Sequence, residues 1–151
     1  MAQRLDEREP TLTDLDVYNK LLKLSDHTIS VCKPKDKNVN NKHIPKRFTN
    51  IGNMLIEYVV TIGADIIEAN ELFVGENLNR EARIANYRRR VWLQEDAKSL
   101  TFRMEHLIRT LHTHSPFADS TITYWMALLT ETRSLLTKWR DRDLRNLNRL
   151  M

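Results

Sequence analysis

The amino-acid sequence predicts an all-α fold, an antiparallel up-down four-helix bundle, and three observations carry that expectation. Only three glycines and four prolines punctuate 151 residues, too few for the turns of an all-β domain. No alternating stretch of β-branched residues lasts long enough to form a strand. Four segments repeat apolar residues every three or four positions, and short connections between them favour antiparallel neighbours. The length fits one domain over 1–151 that buries roughly two thirds of its unfolded surface.

The first helix is expected over roughly Leu12 to Val31. Leu12, Leu15, Tyr18, Leu22 and Ile29 recur at helical spacing behind Pro10 and the cap candidate Thr11. "CKPKDKNVNNKHIP" then breaks it, with Pro34 and Pro45 bracketing a lysine- and asparagine-rich stretch that cannot bury anything, so a mobile loop is expected at about 33–45.

The second helix starts near Lys46 and sets Phe48, Ile51, Leu55, Val59, Ile62, Ile66, Ala69 and Phe73 on one stripe. Ile56, Val60, Gly63 and Ile67 widen that stripe until it can meet two neighbours at once, and Gly63 marks a close crossing. Glu57, Asp65 and Glu68 are expected on the outer surface, in water or beside arginines. After "VGENLN" a third helix runs from Asn77 to about Thr113; its stripe is clearest at Leu93, Ala97, Leu100, Met104, Leu107 and Leu111. "HTHSPFADS" ends it, and Asp119 or Ser120 can cap a fourth helix carrying Ile122, Trp125, Leu129, Leu136, Trp139, Asp143 and Leu147.

Charge is unevenly spread. The net charge is +4, and residues 77–114 concentrate Arg80, Arg83, Arg88, Arg89, Arg90, Lys98, Arg103 and Arg109. A field of that kind suits a polyanion, nucleic acid being the commonest one, although a solvated helix face has the same composition. Lys46 and Arg47 are expected to extend the positive patch. Tyr87 and Trp92 bracket the arginine run and mix aromatic surface with charge, a composition suited to RNA and to a protein interface alike. Trp125 and Trp139, beside leucines, read as core.

Chemistry finds little support. Cys32 is the single cysteine and has no partner for a disulfide or a CxxC pair, which together with the absence of a secretory start suggests a cytoplasmic protein. No apolar run is expected to span a membrane, because Glu57, Gly63 and Asp65 interrupt the longest one. A di-metal carboxylate bundle needs Glu-x-x-His pairs, and in "EHLIRTLHTH" Glu105 directly precedes His106, so no metal or other cofactor is expected. Arg109 and His114 stand at an Arg-x-x-x-x-His spacing that resembles the motif of HEPN-type ribonucleases, where a histidine moves a proton and an arginine holds phosphate. The alternative is that His112 and His114 simply suit the negative end of a helix.

Taken together, the four segments resemble the accessory variability determinant (Avd) family of diversity-generating retroelements and are also similar to the related four-helix proteins of ribosomal RNA intervening sequences. The stretch "PKRFTNIGNMLIEYVVTIGADIIEAN" is similar to the family's second helix at Pro45, Arg47, Phe48, Gly52, Glu68, Ala69 and Asn70. "LQEDAKSLTFRMEHLIRTLH" resembles its third helix, with Arg103 or Arg109 as its arginine. "YWMALLTETRSLLTKWRDR" resembles its last, with Trp139 as the terminal tryptophan. Asn53 and Lys138 depart from the family pattern, which more often has a basic residue and a glycine there. The resemblance implies a non-enzymatic partner of the retroelement's reverse transcriptase, assembled as a homo-oligomeric pentamer. It also implies binding to structured template-repeat RNA and cDNA.

Overall fold

The computed structural model describes residues 15–33, 44–114 and 119–151. They form four α-helices: α1 (Asp16–Cys32), α2 (Thr49–Glu71), α3 (Arg80–His114) and α4 (Asp119–Leu150), with a single 3₁₀ turn, Lys46–Phe48, leading into α2. Each helix packs on those before and after it, and α1 closes the ring against α4. Side-chain links fix the directions. The buried Trp125 indole donates to Thr28 Oγ1 at 2.9 Å, joining the start of α4 to the end of α1, while Arg133 in the middle of α4 meets Thr101 and Glu105 on α3. The result is an antiparallel up-down four-helix bundle, as the periodicity predicts.

The core runs between the helices through Leu24, Leu55, Ile62, Ile66, Leu93, Met104, Ile108, Leu111, Trp125, Leu129 and Leu136, all fully buried. Each such aliphatic side chain contributes about 1.5–3 kcal/mol relative to an exposed one. On α2 the expected stripe holds at Leu55, Val59, Ile62, Ile66 and Ala69, but Phe73 lies beyond the helix and is exposed. Of the positions expected to widen it, Val60 and Ile67 face outward. The Lys46–Glu71 stretch is long and apolar enough to cross a membrane by length and composition, contrary to the sequence expectation. In the fold its apolar face packs on α1 and α3.

On α1 the buried face is Val17, Leu21, Leu24, Thr28, Val31 and Cys32; Leu22 and Ile29, placed on the stripe from spacing, are exposed. Thr11 and Leu12, and most of the expected 33–45 loop, lie outside the described residues. The far end of that stretch does contribute to the core. Ile44 is buried and its N–H donates to the Val31 carbonyl at 2.8 Å, tying the start of the second segment to the end of the first.

Two glycines permit close crossings. A Cβ at Gly52 would lie 3.3 Å from the Cys32 carbonyl oxygen and 3.2 Å from Ile44 Cδ1, and one at Gly63 would lie 3.2 Å from Leu21 Cδ2. The start of α3 is capped by Asn79, whose Oδ1 accepts from the Ala82 N–H at 2.8 Å. A smaller cluster of Val74, Tyr87 and Leu147, with Ile84 and Leu150 against it, closes this end of the bundle.

Candidate nucleic-acid interface

The early turns of α3 carry the predicted arginines, and the structure divides them sharply. Arg80, Arg88 and Arg89 are exposed, whereas Arg83 is half-buried with its Nε donating to the Val74 carbonyl at 3.1 Å. Arg88 reaches Met151 Sδ at 3.8 Å, so the start of α3 meets the last residue of the chain. A shallow depression of about 470 Å³ lies there, lined by Arg80, Glu81, Ile84, Ala85, Arg88 and Met151. Arg89 pairs with Glu68 of α2 at 3.1 Å and lays its guanidinium 4.7 Å from the ring centre of Trp92. Trp92 is 55% exposed, so an aromatic face and cations stand together on the outside of the bundle.

Arg90 does not belong to that surface. It is buried, with Nε and Nη2 on the two Asp143 oxygens at 2.9 and 3.3 Å and Nη1 donating to the Leu72 carbonyl at 3.2 Å. Gln94 Nε2 donates to the same carboxylate at 2.7 Å. The guanidinium lies between the rings of Tyr87 and Trp139. A charge so enclosed cannot meet a phosphate; it joins α3, α4 and the end of α2. Tyr87 is likewise buried and packs with Val74 and Leu147, so it offers no surface to a partner.

Lys46 and Arg47 are exposed but stand at the other end of the molecule. Arg47 Nη2 donates to the carbonyl of His114, the last residue of α3, at 3.3 Å. The 23 residues of α2 then separate this pair from the Arg80–Arg89 end by about 35 Å. The two basic groups are separate patches rather than one extended surface.

The carboxylates also divide. Glu57 and Glu68 are exposed, but Asp65 is buried against α3 and hydrogen-bonded to Asp96. Burial, that hydrogen bond and the neighbouring Asp96 and Glu68 charges push its carboxyl up to about 8, opposed by Arg89. Oδ2 of Asp65 has no hydrogen-bond partner. Burial likewise pushes the Cys32 thiol up to about 12, which suits a packed side chain and not a nucleophile.

Arg109 and His114 are both exposed near the end of α3. Five residues apart on one helix, they project about 140° from each other. Arg109 Nε lies 3.6 Å from Glu105. Among the described residues no group of three or more histidine, cysteine, aspartate or glutamate side chains is placed to hold a metal ion. No protein-family model, curated protein or solved structure matches the chain.

Sequence reasoning missed the partnership of Arg90 with Asp143 and Gln94, although a signal was present. Counting back from Ala97 along the α3 stripe by three, four and seven residues reaches Gln94, Leu93 and Arg90, all on the buried face.

Proposed function

We propose that this chain is a non-enzymatic accessory protein of a diversity-generating retroelement. It acts in the cytoplasm as a homo-oligomer, a pentamer, and brings the element's reverse transcriptase together with structured template-repeat RNA and its cDNA to support mutagenic cDNA synthesis. Family resemblance along almost the whole sequence supplies the biological role.

The observation that carries the physical part is the exposed Arg88, Arg89 and Trp92 surface on the outside of α3. Guanidinium groups bind phosphate oxygens as planar forks, and an exposed indole offers a face on which an unpaired base stacks. A rigid bundle holds both groups without the convergent pocket that a catalyst needs. The half of the Trp92 surface left uncovered also suits the reverse transcriptase as a protein contact.

The test is a titration of a fluorescent hairpin RNA between about 50 and 200 mM salt. The Arg88→Gln/Arg89→Gln variant removes two phosphate contacts, so its log-affinity against log-salt slope should be shallower by about 1.4–1.8. A slope and affinity equal to the parent's would remove this surface from the proposal.

A further inference from the structure

The outer face of α4 carries a second basic row. Lys138, Arg142, Arg145 and Arg149 are all exposed and recur every three or four residues, so they share one stripe about 16 Å long. None forms a salt bridge with another described residue. The two remaining cations of α4 behave differently: Arg133 is paired with Glu105, and Arg140 with Glu95 and Asp141. Helix-end electrostatics account for Arg149 alone, since it is the basic residue of the last turn and the dipole effect fades beyond that turn.

We propose that this row is a second contact surface for the phosphate backbone of RNA, separate from the α3 arginines; the inference rests on the nucleic-acid reading above. Arg140 reaches Glu95 of α3, and two positions along a helix turn about 160° round it, so the row of Lys138, Arg142, Arg145 and Arg149 looks away from α3 and stands as a patch of its own. Beside it lies a groove of about 420 Å³ between α1 and α4, in which Asp16 is the acidic neighbour of Arg142 and Arg145.

The character of the groove favours nucleic acid over an acidic protein. Of its apolar members Leu15, Val17 and Trp139 are buried in the bundle and Leu135 is half-buried, leaving a small apolar floor beneath the cations Lys138, Arg142 and Arg145. Protein interfaces need an apolar centre, whereas phosphate contacts need cations and little else.

The experiment uses the whole chain, with a fluorescent hairpin RNA and poly-L-glutamate as probes. Lys138→Gln/Arg142→Gln/Arg145→Gln removes three contacts and should make the RNA salt slope shallower by about 2.1–2.7, with weaker binding, at unchanged helical content. Arg142→Lys/Arg145→Lys keeps the charge and should keep the slope.

If the triple variant binds RNA as the parent does while Arg88→Gln/Arg89→Gln loses affinity, the α4 row is overturned and the α3 reading stands. A parent chain that binds no RNA overturns both. Loss of poly-L-glutamate binding with RNA binding intact would assign the row to an acidic protein and overturn the inference.

Discussion

Replacing Asp143 by alanine leaves the Arg90 guanidinium charged inside the bundle without the carboxylate that holds two of its nitrogens. The side chains of the pair are 3% and 2% exposed, so water cannot take over the lost contacts. Breaking a buried pair by removing one member costs about 3–5 kcal/mol. The lower end applies here, because Arg90 keeps its bond to the Leu72 carbonyl and its contacts with the Tyr87 and Trp139 rings. About 3 kcal/mol corresponds to a fall in Tm of about 6–12 °C for a chain of this size.

Circular dichroism melts at neutral pH measure that fall. The same logic predicts that Arg90→Met/Gln94→Leu/Asp143→Leu, which removes the whole polar group, is far less damaging than the single change, since apolar replacement of a buried ion pair is often neutral or stabilising. A single variant that loses less than about 1 kcal/mol would show that the pair behaves like an exposed one.

Three further outcomes follow from the helix contacts. Asp65 is protonated in the folded chain up to about pH 8 but ionises near 3.8 when unfolded, so the folded state holds the extra proton between those values. Stability should therefore decline as pH rises through that window, and Asp65→Asn should flatten the decline in urea melts; an equally steep decline in the variant would assign it to another group. Gly63→Ala meets the flexible end of Leu21 and gains up to about 1 kcal/mol of helix propensity. By contrast, Gly52→Ala presses on the Cys32 backbone and should lose about 1–3 kcal/mol, a difference in sign readable by thermal denaturation.

The number, order and direction of the helices were legible because apolar periodicity and short connections constrain a bundle strongly. Helix faces were less so. Leu22 and Ile29 fit a helical repeat with Leu15, yet Val17, Leu21, Leu24 and Thr28 fit an adjacent one, and only the positions of α2 and α4 decide which turns inward.

The arginine run shows the same limit at the site. Successive residues on a helix point 100° apart, so a block such as "RRR" cannot be a single surface. Arg88 and Arg89 look outward, and Arg90 looks to the core. Asp143 stood in the apolar repeat of α4 as Arg90 stood in that of α3, and a charge in each of two facing stripes is the mark of a buried pair. The juxtaposition of α3 and α4 ends depends on three-dimensional closure, which no local pattern encodes.

The most direct test of the functional account is purification of the tagged protein from its own host, identifying bound proteins and RNA together. Recovery of a reverse transcriptase with one structured non-coding RNA, both reduced by Arg88→Gln/Arg89→Gln, is the predicted result. Recovery of ribosomal material or a small antitoxin-like protein, with neither reverse transcriptase nor structured RNA, would contradict it.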